Sequence, residues 1–244
     1  MKYAAILMMA LAIMAAGCSD NDDDNPAGPS QDATIQIIHN SPTAAAAVVD
    51  IYLNGAASPA VDDFGFRTAT GLIDLPAGAY TIGIAPGNST GPGDIIASFG
   101  PVQLTAGSKT VVMAAGELGD DFGLFFNDLV TTATAGQVGL LAFHGAPDAP
   151  TVDISVVRAR ALIDALVYQT FQGYLEVPED DYVLGIGPTG EAPIVAFDVP
   201  LTGLAGGTAV AFASGYLAPE AGDPAFGLFA ALNDGTVVAF DVSP

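Results

Sequence analysis

The sequence predicts an all-β protein made of two tandem antiparallel β-sandwich domains. Three observations support this fold class: an internal repeat, segments that alternate apolar and polar residues with a period of two, and 29 glycines and 17 prolines among 244 residues. A period of two is typical of half-buried strands. Frequent Gly and Pro indicate many turns and few long helices.

The repeat is clearest at two motifs. Residues 35–55 (IQIIHNSPTAAAAVVDIYLNG) are similar to residues 139–157 (GLLAFHGAPDAPTVDISVV), and residues 71–87 (GLIDLPAGAYTIGIAPG) are similar to residues 173–190 (GYLEVPEDDYVLGIGPTG). The recurring residues include His39 with His144, Pro42 with Pro147, Asp50 with Asp153, and Tyr80 with Tyr182. Each copy has about 100 residues, enough for one small core, which indicates a duplicated domain.

The repeat and the composition together predict the domain organisation. We expect a signal peptide over residues 1–17, a lipidated cysteine and acidic tether over 18–33, a first sandwich over 34–130 and a second over 137–243. The segment between the two sandwiches, TTATAG, is short and rich in small residues.

Within each copy, alternation predicts the strands. Tyr80, Ile82 and Ile84 occupy one face of a strand, as residues i, i+2 and i+4 do. We expect about seven short strands per copy, as in an antiparallel sandwich. Residues 158–169 (RARALIDALVYQ) are good helix formers, but their counterpart at 54–68 is rich in Gly, Pro and Asp. The repeat therefore favours strand, turn and strand at 158–169.

The repeated motifs resemble the bacterial domain-of-unknown-function family 4397. Its members typically begin with RVVHASPDAPAVDVYVNG and continue with GYLTLPAGTYTVEV, and residues 34–129 and 137–242 each resemble one whole domain. The first copy departs from this pattern at Thr43, where the family has Asp, and has two extra residues in 43–49. The resemblance implies an immunoglobulin- or transthyretin-like sandwich in secreted and envelope proteins. It implies no chemistry, because the family has no established activity.

The N-terminus predicts an anchored protein. Residues 4–16 (AAILMMALAIMAA) follow Lys2 without a charge and would span about 20 Å as a helix, short of the ~30 Å hydrocarbon core. This pattern favours a signal peptide over a membrane span. The small residues before Cys18 resemble the lipobox of bacterial lipoproteins, although Ala15 stands where Leu is usual. The resemblance implies cleavage before Cys18 and its lipidation.

The predicted tether and anchor set the expected location. Residues 19–33 carry five Asp and little apolar surface, so they form a solvated spacer. We expect a protein anchored by its N-terminal lipid in the bacterial cell envelope, at the outer membrane, facing the periplasm or the exterior. Several acyl chains give the stable anchoring that one chain does not.

Composition excludes several classes of protein. The chain has 27 Asp and Glu against 5 Lys and Arg, with a formal net charge of −22. So few basic residues cannot neutralise a phosphate backbone, so we expect no nucleic-acid partner. One cysteine excludes a disulfide framework, and one cysteine with two histidines disfavours a zinc site. We expect no cofactor.

The candidate site residues are the two recurring pairs His39 with Asp50 and His144 with Asp153. A catalytic interpretation makes each histidine a general base oriented by the aspartate, with Ser41 as nucleophile. Ser41 has Ala146 as its counterpart, and the chain has no G-x-S-x-G turn. We favour a structural interpretation, in which the histidine ends a strand and bonds the following turn while the aspartate begins the next strand.

The remaining polar residues leave two ligand classes open. Carboxylates at 62–63, 120–121 and 179–181 are of the type that binds Ca²⁺, but their spacing matches no calcium loop. The absence of Trp weakens a sugar-binding platform. We therefore expect a non-catalytic structural or interaction module with an envelope protein or glycan as partner. The alternatives are a Ca²⁺- or glycan-binding surface protein and a His-dependent hydrolase.

Overall fold

A computed structural model describes residues 32–158 and 161–244 of the chain. They form β-strands and two single-turn 3₁₀ helices, Ala44–Ala46 and Pro92–Asp94. The predicted signal peptide, Cys18 and nearly all of the predicted tether lie outside the described residues. Within the described ranges, no helix combines the length and the apolar composition that crossing a bilayer requires.

The first half of the structure contains nine strands in two sheets. The strands are β1 (Asp32–Asn40), β2 (Val48–Leu53), β3 (Val61–Gly65), β4 (Thr68–Ala69), β5 (Ile73–Pro76), β6 (Gly78–Pro86), β7 (Ala97–Leu104), β8 (Lys109–Ala115) and β9 (Gly123–Asp128). One sheet has the order β4-β1-β8-β9, with β5 also paired to β1, and the other has the order β3-β2-β6-β7. We call these the inner and the outer sheet of the first sandwich.

The second half contains ten strands with the same arrangement. They are β10 (Gln137–Gly145), β11 (Val152–Val156), β12 (Ala161–Leu166), β13 (Phe171–Pro178), β14 (Asp181–Pro188), β15 (Val195–Pro200), β16 (Thr208–Ser214), β17 (Gly227–Leu232), β18 (Val237–Ala239) and β19 (Asp241–Val242). The inner sheet has the order β13-β10-β16-β17-β18 and the outer sheet β12-β11-β14-β15-β19. β1, β8 and β9 of the first sandwich thus correspond to β10, β16 and β17 of the second.

The prediction of an all-β fold built from sandwiches is confirmed, with one difference in the inner sheets. β1 pairs with β8 in parallel, and β10 pairs with β16 in parallel, so both inner sheets are mixed. Parallel neighbours need a long crossover connection. Here the crossover is supplied by the outer-sheet strands that lie between β1 and β8 in the chain.

The repeat accounts for two local features. Strand and not helix forms after Arg158, as predicted from its counterpart, but the segment contains one strand, β12, followed by a turn at 168–169, where strand, turn and strand were expected. Tyr80 and Tyr182 are partly buried against the cores of their sandwiches. Their hydroxyl groups donate to the carbonyl oxygens of Pro76 and Pro178 at 2.7 and 2.9 Å, which ties each strand to the turn before it.

Each sandwich has its own core between its inner and outer sheets. In the first, Ile37 and Val112 of the inner sheet pack with Ile51 and Ile84 of the outer sheet. In the second, the core includes Val138, Ala142, Ile186, Phe197 and Leu228. The alternating residues on one face of each strand therefore fill these two cores, as a period of two requires.

A third core joins the two inner sheets to each other. Its members are buried residues from both halves of the chain, Ile38, Val111, Met113, Ala115, Leu129, Leu141, Phe143, Val210, Phe212 and Ala231. On β8, Val112 faces the first sandwich while Val111 and Met113 face this interface. The four sheets thus stack as outer, inner, inner and outer, and the inner sheets are buried on both faces.

We predict that Phe143→Ala lowers the free energy of unfolding by about 3–5 kcal/mol, because it opens a cavity in the third core. Phe143 is 1% exposed, and its ring centroid lies 4.7 Å from that of Phe171 and 5.8 Å from that of Phe125. Urea denaturation followed by circular dichroism measures the loss. The control Phe126→Ala removes a 40% exposed ring and should cost less than half as much. Equal losses would contradict a shared core between the inner sheets.

Candidate functional site

His39 lies near the end of β1 and is fully enclosed, with 1% of its surface exposed. Its Nε2 lies 2.7 Å from the carbonyl oxygen of Ala46, and its Nδ1 lies 3.4 Å from the backbone nitrogen of Ser41. A carbonyl accepts and an N–H donates, so Nε2 carries the proton and Nδ1 accepts. The imidazole therefore bridges two backbone groups of the loop that follows β1.

His144 repeats this arrangement in the second sandwich. Its Nε2 donates to the carbonyl oxygen of Pro150 at 2.9 Å, and its Nδ1 accepts from the backbone nitrogen of Ala146 at 3.4 Å. Burial lowers the pKa of both histidines, and the pKa of His39 falls from 6.5 to about 4 although its bond to the Ala46 carbonyl favours the charged form. Both rings are therefore neutral at pH 7.

Asp50 sits in the middle of β2 with 1% of its surface exposed. Its Oδ1 accepts the backbone N–H of Asp63 at 2.9 Å, and its Oδ2 accepts the hydroxyl of Ser89. Asp63 has a φ of 51°, a left-handed conformation that costs energy for a residue other than glycine. The Asp50 carboxylate holds this strained position of β3 against β2, where the register of the two strands shifts.

Asp153 holds the corresponding position of β12 in the second sandwich. Its Oδ1 accepts the backbone N–H of Ala165, and its Oδ2 accepts that of Gly190, both at 2.8 Å. Ala165 has a φ of 53°, matching the left-handed residue of β3 that Asp50 holds. These two backbone N–H donors favour the charged carboxylate and lower the pKa of Asp153.

The structure does not bring either histidine to its aspartate. Among the hydrogen bonds of residues 32–158 and 161–244, those of His39 and His144 go to backbone groups, and those of Asp50 and Asp153 go to backbone groups and Ser89. Ser41, the candidate nucleophile, donates its hydroxyl to the carbonyl oxygen of Gly116 at 2.6 Å and is buried. This arrangement clamps loops to strands and does not assemble a general base beside a nucleophile.

The acidic pairs lie apart on the surface. Asp62 and Asp63 belong to β3, Asp120 and Asp121 to the turn before β9, and residues 179–181 to the turn into β14. Across the residues that the structure describes, no group of three or more His, Cys, Asp or Glu side chains has the proximity that a metal ion needs. Asp121 is instead engaged by Gln169 of the second sandwich, whose Nε2 donates to its carboxylate at 3.1 Å.

Sequence reasoning did not single out Arg67, which joins the two sandwiches. Its Nε donates to the Ser214 hydroxyl at 3.0 Å, and its Nη2 donates to the carbonyl oxygens of Ser214 at 3.1 Å and Ala225 at 2.6 Å. The guanidinium also lies 4.3 Å from the ring centroid of Phe229, a cation–π contact. Arg67 corresponds to Gln169, since each donates its backbone N–H to the carbonyl of the histidine in its own sandwich.

A second contact across the interface explains a difference between the two copies of the motif. Asn40 follows His39, whereas Gly145 follows His144. The Asn40 side chain donates to the carbonyl oxygen of Ala213 at 3.1 Å, and a Cβ on Gly145 would overlap its amide. The second copy therefore has glycine where the first copy's asparagine crosses the interface.

The second sandwich also has an apolar groove at one end, with a volume of about 560 Å³. Leu140, Leu201, Ala230 and Phe240 are among the residues that line it, as is Asp234. In the first sandwich Phe126 occupies the strand position of Ala230, so a large side chain replaces a small one there.

We predict that Arg67→Ala lowers the free energy of unfolding by about 2–3 kcal/mol, since it removes three hydrogen bonds from a charged donor, two of them to the buried Ser214. Arg158→Ala is the matched control, because Arg158 is exposed and has a φ of 64°, close to the 60° of Arg67. The control should change stability by less than about 0.5 kcal/mol in the same urea titration. Similar effects of the two changes would contradict the bridging role.

We also predict that the buried histidines make stability fall as the pH drops from about 6.5 to about 4. The unfolded chain binds a proton at His39 near pH 6.5, whereas the folded chain binds it at about 4, so acid favours unfolding within this window. For His39 the full effect is about 3 kcal/mol. Urea midpoints at pH 7, 6, 5 and 4 measure it, with His39→Gln as the comparison because glutamine has no titrating proton. An unchanged pH slope in the His39→Gln variant would contradict this origin.

Comparison with known protein families gives a match that includes the recurring His and Asp residues. The profile of a family described as a domain of unknown function (DUF4397) matches residues 33–155, which is half of the chain. The match covers the first sandwich and continues through β10 into β11, so it includes both His and Asp motifs. No curated protein matches the chain in a sequence comparison. The family predicted from the sequence is therefore confirmed, and the chain belongs to the DUF4397 family of domains of unknown function.

Proposed function

We propose that the protein is a lipid-anchored component of the bacterial cell envelope. In this proposal its two sandwiches act as one non-catalytic module that contacts other envelope components. The outer membrane is the expected site of anchoring, and a protein or glycan of the envelope is the expected partner.

The non-catalytic role is proposed from the contacts that the recurring polar side chains make. A general base needs a free lone pair within reach of the proton that it removes. His39 and His144 are buried, and the Nδ1 lone pair of each accepts a backbone N–H. The residues that duplication retained in both copies therefore support loops, which favours a scaffold over an enzyme.

The third core supports a single rigid module. Its apolar residues, together with the contacts of Arg67 and Asn40, hold the two inner sheets in one relative orientation. Surfaces on both sandwiches then keep a constant spacing, which lowers the entropic cost of binding a partner that touches both.

The sequence ahead of β1 supports the anchor. The apolar residues 4–16 and the small residues before Cys18 have the pattern of a lipoprotein signal. From Cys18 to Asp32 the chain can span at most about 48 Å. Its aspartates repel one another, which favours extension of this tether and separation of the module from the membrane.

We predict that Cys18→Ser transfers the protein from the membrane fraction to the soluble fraction, because serine lacks the thiol that would carry the diacylglycerol. Fractionation of cells and mass spectrometry of the N-terminal peptide measure the change. His39→Gln is the control and should stay with the membrane. Unaltered membrane retention of the Cys18→Ser protein would contradict the anchor.

The non-catalytic part of the proposal has a separate test. Calorimetry of the lipidated protein with Ca²⁺ should give no saturable heat. Saturable heat with Ca²⁺ would favour the Ca²⁺-binding alternative. A hydrolytic turnover that disappears in His39→Gln or His144→Gln while the fold persists would favour the hydrolase.

A further inference from the structure

The two sandwiches differ in how the last strand of the inner sheet is covered. In the second sandwich the chain continues after β17 and returns as β18, which pairs with β17, and as β19, which pairs with β15 of the outer sheet. In the first sandwich the chain leaves β9 and runs directly into β10. Within residues 32–158, β9 has β8 on one side and no strand on the other.

The covered edge identifies the backbone groups that are free in the first sandwich. The Leu228 carbonyl accepts the N–H of Phe240, and the N–H of Leu232 donates to the Thr236 carbonyl. Leu124 and Asp128 occupy the same positions on β9 by their pairing with β8. Because outward and inward groups alternate along an antiparallel strand, Leu124, Phe126 and Asp128 direct their N–H and C=O groups away from β8.

β9 has only one feature that protects an exposed edge, the charge of Asp128, and it stands at the end of the strand. Charges, prolines and short length discourage pairing with another chain. Among the described strands, the other edges of five or more residues each carry such a feature: Asp62 and Asp63 in β3, Pro101 in β7, Asp164 in β12 and Glu176 in β13. Residues 123–127 of β9 (GLFFN) carry neither a charge nor a proline.

The side chain beside this edge is incompletely covered. Phe126 is 40% exposed, whereas Ala230 at the same position of β17 is 4% exposed beneath the returning chain. An added strand on β9 would cover apolar surface of Phe126 as well as pair the free backbone groups. Both terms favour an extended segment on β9.

The charge of the protein indicates which segment fits. The first sandwich, residues 32–128, contains ten Asp and Glu against Arg67 and Lys109. A second copy of this chain, with its own net charge of −22, would be repelled. A strand with basic residues at its ends would be attracted to Asp128 and to the acidic turn before β9.

We propose that β9 is the docking edge for a partner protein of the envelope, which adds one β-strand with alternating apolar residues and basic flanks. This inference deepens the proposed interaction role. It is independent of the lipid anchor, so Cys18→Ser should leave strand binding unchanged even if the anchoring prediction fails.

The probe is a synthetic peptide that carries residues 236–240 of this chain (TVVAF) with two lysines added at each end, because this segment lies along the equivalent edge in the second sandwich. Hydrogen exchange of the full chain in mild detergent is followed by mass spectrometry with and without ~1 mM peptide, enough to detect weak binding. We expect exchange in residues 123–128 to slow at least tenfold, because paired amides are protected. Residues 227–232 of β17 serve as the internal reference and should not change.

Two pairs of variants test the geometry. Phe126→Pro removes an outward N–H without removing a bond to β8, so it should abolish protection, whereas Phe126→Val keeps the N–H and should bind within threefold of the original chain. The same comparison can be made at Asp128, whose side chain is exposed, with Asp128→Pro and Asp128→Asn. This second pair replaces the first as the test of strand pairing if circular dichroism shows that Phe126→Pro does not fold.

Three results would overturn the proposal. Exchange in residues 123–128 that is unaffected by the peptide would show that the edge does not accept a strand. Equal protection in Asp128→Pro and Asp128→Asn would show that the outward N–H groups are not used. Protection that appears without peptide and grows with protein concentration would assign the edge to a second copy of this chain.

Discussion

Burial of both faces of the inner sheets is the constraint on which the rest of this structure depends. β1, β8, β10 and β16 lie between a sandwich core and the third core, so β8 and β16 are largely apolar and the polar residues Gln36, His39 and Asn40 of β1 are buried. Polar groups in such strands must find partners inside the protein. Gln36 donates to the Leu232 carbonyl at 2.6 Å, and His39 donates to the Ala46 carbonyl at 2.7 Å. The two histidines are therefore bonded to backbone groups because they end doubly buried strands, whereas Asp50 and Asp153 lie in the outer sheets.

Duplication produced two copies that now complement each other. Arg67 and Gln169 occupy equivalent left-handed positions, with φ of 60° in both, yet they bond different partners across the interface. Asn40 and Gly145 differ because one amide crosses the interface and the other copy must leave room for it. Each half has kept the backbone that forms a sandwich, while the side chains at the interface have diverged to fit each other.

The acidic composition acts on the outside of this assembly. Among the residues that the structure describes, the carboxylates are exposed or partly exposed except for the buried Asp50, so water and salt screen most of their mutual repulsion. Stability then comes from the apolar layers, and the charge influences which molecules approach the surface. The same charge disfavours contacts between copies.

The sequence was sufficient to predict the strands, the two sandwiches and the family. Alternation with a period of two and the Gly- and Pro-rich turns indicated the strands, and the repeated His, Pro and Asp motif indicated the duplication and the family. The repeat also placed β12 correctly against its helix propensity. The sequence could not predict that β1 pairs with β8 in parallel or that one inner sheet packs on the other. An apolar run such as residues 111–115 has the same sequence pattern whichever sheet covers it.

Among the candidate site residues, the sequence determined that the histidines end a strand and that the aspartates lie in the strand that follows. Tertiary structure decided that they do not meet, because each is drawn to the nearest backbone groups of its own loops. It also decided the role of Arg67, whose partner Ser214 is 147 residues away in the chain. Local patterns specify strands and turns, whereas contacts between distant residues depend on which apolar faces are left to be buried.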